Sequence, residues 1–146
     1  MKRGSIKAIC ALLLYICSSL LAEEDVFLSD ALNELYPAVS QGWGALGRDT
    51  AAVPPDGRPA MPLKITGASF TKGLGHHAPG EITINLPPGE FISFQAQVGV
   101  QWQGGGRGSV IFQVFTDGVK CFESGRMSDS DPPRPVSIPL EGVSVL

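Results

Sequence analysis

The sequence predicts an all-β domain, a small sandwich or barrel, placed behind an N-terminal export leader. Three observations carry that expectation. From residue 63 onward, apolar and polar residues alternate in short runs, the period of half-buried strands. Gly and Pro separate these runs at the spacing of a sandwich or barrel. No repeat, heptad or charge block interrupts them.

The leader comes first. Lys2, Arg3 and Lys7 precede an apolar run, and Ala22 stands before the acidic Glu23-Glu24-Asp25, which is the three-part pattern of a secretory signal. Residues 1–22 are therefore read as a signal peptide and residues 23–146 as one domain, secreted or periplasmic. The apolar run is broken by Ser18 and Ser19 and is shorter than the roughly 20 residues a spanning helix needs, so a permanent membrane anchor is the weaker alternative. Cys17 sits at the depth of a lipid-attached cysteine, but Ile16 is bulkier than such signals want and Ala22 better meets the cleavage geometry. All fourteen acidic residues follow Ala22, against eight of the eleven basic ones, so the domain itself carries a net charge of −6. That surface, without a Lys/Arg cluster, argues against nucleic acid or an anionic membrane as partner. Cys10 and Cys17 fall in the leader, leaving Cys121 alone. No internal disulfide can form, and stability must come from the core. Cys121, in the alternating Val119-Lys120-Cys121-Phe122, is expected to be a small buried hydrophobe.

Along the domain, Val26-Phe27-Leu28-Ser29-Asp30 opens a short strand or helical turn that runs to Pro37. Residues 40–62 are loop-rich, holding Gly42, Gly44, Gly47, Pro54, Pro55, Gly57 and Pro59, which punctuate regular structure. Leu63-Lys64-Ile65 is a brief strand. In residues 81–86, Ile82, Ile84 and Leu86 share one face, and Pro87-Pro88-Gly89 turns the chain. Residues 91–100 set Ile92, Phe94, Ala96, Val98 and Val100 on a core face. Residues 109–116 are apolar on both faces, which predicts a strand packed on both sides. Asp117-Gly118 predicts a two-residue hairpin turn, because both residues accept positive φ. Residues 124–134 form a polar loop, and two further alternating runs follow, the last ending at Leu146.

Groups able to do chemistry are few. His76 and His77 are adjacent in Gly73-Leu74-Gly75-His76-His77-Ala78-Pro79. Neighbours in extended chain point to opposite faces, so one is expected to be hydrogen-bonded inside and the other to face solvent, rather than both gripping a metal. The acids are scattered and no Gly-x-Ser-x-Gly elbow exists, which argues against hydrolysis. Gly104-Gly105-Gly106-Arg107-Gly108 precedes β pattern rather than a helix, so it reads as a hairpin loop and not a phosphate cradle. A binding module needs less: an aromatic platform and a few polar groups in a preformed cleft. Trp43, between Gly42 and Gly44 with Arg48-Asp49 beyond, and Trp102, between Gln101 and Gln103, supply such groups. Each tryptophan is also compatible with a core or lid position.

Five segments in order resemble the NPCBM domain, a carbohydrate-binding module first noted beside family 98 glycoside hydrolases. They are Phe27-Leu28-Ser29-Asp30; Gly42-Trp43-Gly44 with Arg48-Asp49; Lys72-Gly73-Leu74-Gly75-His76-His77-Ala78-Pro79; Val98-Gly99-Val100; and the run from Gly108-Ser109-Val110 to Thr116-Asp117-Gly118. The resemblance implies a galactose-binding-like β-sandwich of jelly-roll type. It further implies a non-catalytic accessory to a glycoside hydrolase that recognises terminal galactose-type glycans, in some members with a structural calcium. Carried onto this chain, it makes Trp43, Arg48, Asp49, His76, Gln101 and Trp102 the candidate sugar-binding residues. Two departures accompany it. Gln101-Trp102-Gln103 replaces the acidic residues that relatives commonly place after Val-Gly-Val. The family pattern also continues into a further strand and a closing segment not seen before Leu146, so the sandwich is expected to be incomplete at its C-terminus. The alternative is a degenerate module serving as a surface interaction domain without sugar binding.

Overall fold

A computed structural model describes residues 4–9, 24–103 and 108–146, the first group by backbone alone. The leader expectation and the Gly104–Arg107 loop therefore fall mostly outside the described residues.

Twelve strands and one helix are described. They are β1 Gly4–Ile9, β2 Asp25–Phe27, α1 Leu28–Leu35, β3 Ala38–Gln41, β4 Gly47–Arg48, β5 Leu63–Ile65, β6 Ala68–Phe70, β7 Leu74–Gly75, β8 Gly80–Thr83, β9 Phe91–Val98, β10 Val110–Thr116, β11 Val119–Met127 and β12 Arg134–Pro139. The largest sheet has the order β12-β9-β1-β2, and four strand pairs, β10-β11, β3-β8, β4-β7 and β5-β6, surround it. β12 runs antiparallel to β9, while β1 runs parallel to both β9 and β2.

The opening segment resolves into both of its expected forms. β2 ends at Phe27 and α1 begins at once, burying Leu28, Ser29, Ala31 and Leu35. The helix stops at Tyr36, which turns left-handed at φ 43° and donates its N–H to the Leu32 carbonyl, a common way to satisfy a terminal carbonyl.

The main core joins Leu28, Ala31 and Leu35 of α1 to Ile84 and Leu86, to Phe91 and Phe94 of β9, and to Val136, Ile138 and Leu140. Val114 and Phe122 pack on it from the β10-β11 hairpin. A second cluster gathers Leu63, Ile65 and Phe70, with Phe27 against it. The alternation of Ile82, Ile84 and Leu86 is borne out: all three face the main core.

Three expectations need correction. On β9 both Phe91 and Phe94 are buried, while Ile92 is only half-buried. The register against β1 slips between Gly4 and Ser5, opposite Phe91 and Ser93. A bulge of this kind reverses the facing of the residues on either side, so one parity does not hold along the strand. β10 is not covered on both sides: Ile111 and Phe115 are exposed, and the strand pairs with β11 alone. Its inner face, Val110, Phe112 and Val114, is the half-buried one. Cys121 is exposed rather than buried, because on β11 it is Phe122 and Ser124 that turn inward. Its thiol lies 2.8 Å from the Thr116 hydroxyl and 3.3 Å from the Val119 carbonyl.

The hairpin forms as expected. Thr116 pairs with Val119, and Asp117 and Gly118 take φ of 48° and 81°, the positive values of a primed turn. The last residues also pair, returning along the segment just after β8. Ile84 donates to the Leu146 carbonyl at 2.7 Å, Leu146 donates back at 2.9 Å, and Leu86 donates to the Ser144 carbonyl at 2.8 Å.

Candidate functional site

Three polar groupings on the connecting segments contain all six candidate residues. In the first, Trp43 sits on the bend after β3, and its ring packs tilted against His77 with centroids 5.5 Å apart. The bend is held where the Gly42 N–H donates to the His77 carbonyl at 3.3 Å, the His77 N–H donates to Gln41 Oε1 at 3.3 Å, and Ala45 and Val53 exchange N–H···O bonds. Gly44 follows at φ 67°, and a Cβ there would lie 2.3 Å from the Val53 carbonyl oxygen. Only glycine meets both conditions without strain, so the tryptophan is presented by a fixed backbone. His76 is half-buried with Nε2 2.8 Å from the Ser40 carbonyl oxygen, while His77 is exposed. The expected division between the two histidines is what the structure has.

The second grouping is charged. Asp49 takes a left-handed φ of 58° and accepts the Gly73 N–H at 2.9 Å and the Lys72 ammonium at 3.1 Å. Lys72 also reaches Asp30 of α1 at 2.5 Å, and Arg48 donates to the Asp30 carbonyl at 3.1 Å. Burial pushes the Asp49 carboxyl up. The buried Ser29 hydroxyl beside it, then the Gly73 N–H and the Lys72 ammonium, outweigh burial and hold the group below its ordinary value, although the Ser29 contact falls short of good hydrogen-bond geometry. Hydrogen bonding to Asp30, then to Asp49, raises Lys72 above its ordinary value. Asp49 is thus occupied in tying β4 to β7 and, through Lys72, to α1. Arg48 keeps an exposed guanidinium.

The third grouping lies beside β5. Gln101 accepts the Lys64 N–H at 3.1 Å and donates to the Pro62 carbonyl at 2.9 Å. The Trp102 N–H donates to the Lys64 carbonyl at 2.8 Å, and the Lys64 ammonium lies 4.2 Å from the centroid of the indole ring, a cation–π contact. Each tryptophan therefore has its own partner, His77 for one and Lys64 for the other. Sequence reasoning missed His77, Lys64 and Lys72 as members of these groupings. For His77 the signal was available: it immediately precedes Ala78-Pro79 in a segment already singled out.

A hollow of about 480 Å³ opens next to the first grouping, lined by Ala78, Pro79, Gly80, Ser109, Val110 and Ile111. No group of three or more His, Cys, Asp or Glu side chains converges to hold a metal among the described residues. The calcium implied by the resemblance finds no such side-chain set, and no role is derived for it.

These groupings are carried by a galactose-binding-like β-sandwich, the architecture of carbohydrate-binding modules. The chain belongs to the NPCBM/NEW2 domain family, whose model matches residues 24–146. Among solved structures it is similar to a CBM51 domain from Clostridium perfringens GH95, determined in complex with methyl-galactose. That likeness has TM-score 0.69 and 29% identity over 78% of this chain and 80% of that one. It is also similar to the M60 catalytic domain with the CBM51-1 and CBM51-2 domains of Clostridium perfringens ZmpB, with TM-score 0.65 and 27% identity over 74% of this chain and 11% of that one. A curated relative from Renibacterium salmoninarum, named "Putative endo-alpha-N-acetylgalactosaminidase", is 29% identical over 119 residues. The chain covers 8% of that relative's length, and the match takes in 82% of the chain. No helix among the described residues is long and apolar enough to cross a membrane.

Proposed function

We propose that the domain is a secreted, non-catalytic module that recognises terminal galactose-type glycans and serves as accessory to a glycoside hydrolase. One observation carries this reading: the exposed Trp43 ring, fixed by Gly44 and braced by His77. A galactose ring has one apolar C–H face and a rim of hydroxyls, so it is matched by a flat indole with polar groups around it. In this reading Trp43 is the platform. His76 and Arg48 supply polar contacts, Asp49 acts through the backbone that positions Arg48, and Gln101 and Trp102, tied to Lys64 beside β5, form a separate and weaker contact. The solved relative bound to methyl-galactose supports the sugar class. The relative named for an N-acetylgalactosaminidase supports the accessory role.

Secretion rests on the leader at residues 1–22, read from sequence. Intact mass of protein recovered outside the cytoplasm tests it: the expected chain begins at Glu23. A glycan array followed by titration with methyl-galactoside tests the sugar reading, and a folded sample that binds no glycan on the array overturns it. The interaction-domain reading draws on a different observation, the exposed Ile111 and Phe115 on the outer face of the hairpin and the exposed Val119 next to its turn. It predicts a folded, sugar-blind protein that self-associates.

A further inference from the structure

We propose that Gly4–Ile9, whatever its part in export, is a structural strand of this domain, and that the groove between β2 and β9 is a strand-acceptor site for that segment. In the sheet order β12-β9-β1-β2, β1 is interior. It is paired over six residues with β9, from Gly4 opposite Phe91 to Ile9 opposite Gln97, and over three with β2, from Ser5 opposite Asp25 to Lys7 opposite Phe27. Take the segment away and β2 and β9 face one another across two strand spacings, about 9–10 Å, with no ladder joining them. Backbone N–H and C=O groups held so close to a core need partners.

Both walls of the groove are fixed by their own packing. Phe91 and Phe94 of β9 are buried in the main core. β2 packs Val26 on that core and Phe27 on the second cluster, and it leads directly into α1. Each wall therefore holds contacts to a core besides its pairing with β1. The occupant itself follows from three features of the chain. Ser5-Ile6-Lys7-Ala8 alternates polar and apolar, as a strand in this position requires. Residues 10–24 separate β1 from β2, and a parallel return takes a dozen residues or more. Lys7, with Lys2 and Arg3 before it in sequence, is opposite in charge to the net −6 of residues 23–146 and to Asp25 of β2. Leader removal after Ala22 would thus open a parallel strand site that takes up the same sequence in trans.

The test uses the full chain with a protease site inserted at residues 18–22. The folded protein is cut and passed over a sizing column, then mixed with a labelled peptide of residues 2–9. The expected result is that the N-terminal fragment stays with the remainder, and that the peptide exchanges into the complex. The same peptide carrying Ile6→Pro should bind at least tenfold more weakly, because proline cannot donate to an interior ladder. Loss of the fragment together with unfolding of the remainder also supports a structural strand. Loss of the fragment with the melting temperature unchanged overturns the proposal, as does equal uptake of the proline peptide.

Discussion

Trp43 and Trp102 are almost equally exposed, at 39% and 38%, yet their surroundings differ in kind. Trp43 leans on an aromatic neighbour, while a cation already lies on the Trp102 ring. A sugar must displace Lys64 to stack on that face of Trp102 but nothing so strongly held to stack on Trp43. Trp43→Ala is expected to weaken methyl-galactoside binding tenfold or more in a calorimetric titration, a loss of about 1.4 kcal/mol, and Trp102→Ala by less. Equal losses would mean the two rings flank one site. Asp49 makes a different prediction, about stability. Because its folded value lies below the ordinary 3.8, its contribution is complete above about pH 4 and is lost as pH falls through the folded value. Asn tolerates the left-handed backbone at this position, so Asp49→Asn removes the charge and little else. At neutral pH the variant is expected to lose about 1 kcal/mol, or roughly 3–5 °C in melting temperature. The gap between the two proteins should narrow as pH is lowered below about 4. A gap that persists to pH 2 would assign the loss to packing.

The elements that were legible in sequence were those whose local chemistry decides their form. Asp117-Gly118 specified its turn from two residues, and Ile82, Ile84 and Leu86 specified their face from period alone. β9 was misread because its bulge depends on pairing with a distant segment, which alternation cannot report. Cys121 was misplaced because the half-exposed hairpin turns Phe122 inward and leaves its neighbours outside. β4 and β7 were not legible at all, being two residues each, but the close approach of residues 50–51 to β7 explains Gly75 in the His76 segment. A Cβ at Gly75 would lie 2.3 Å from the Thr50 carbonyl oxygen and 2.3 Å from the Ala51 carbonyl carbon, so the two backbones touch through glycine only. Gly75→Ala is expected to cost about 1–3 kcal/mol in chemical denaturation, the usual penalty for overfilling a packed site. It should also weaken sugar binding, since the displaced strand leads directly into His76. Unchanged stability would show that residues 50–51 move aside freely.

At the scale of the whole molecule, the question is what closes the main core beside Ile84 and Leu86. Both are buried, at 2% and 7% exposure, although neither lies within a long strand. Their cover is the returning segment at residues 141–146, which contributes Val143 and Leu146 to the core and is laddered to Ile84 and Leu86. Asp117 fastens this return from the hairpin side, its carboxylate accepting the Val145 N–H at 2.9 Å and the Ser144 N–H at 3.1 Å, while its own N–H donates to the Val145 carbonyl at 2.9 Å. One aspartate therefore sets both the hairpin turn and the docking of residues 144–145 beside the core. Asp117→Asn keeps the positive φ and weakens only the charge-assisted acceptor, so a loss of about 1 kcal/mol is expected. Asp117→Ala also disfavours the turn, and about 2–3 kcal/mol is expected from the two effects together. Deleting residues 143–146 removes the ladder and uncovers Ile84 and Leu86, which should cost more than either substitution and bring self-association through the exposed strand edge. Hydrogen exchange at the Ile84 and Leu86 amides distinguishes this closure from general loosening. The two amides are expected to exchange first in Asp117→Ala while those of β9 stay protected, and uniform exchange across both would mean that the return carries no separate closing role.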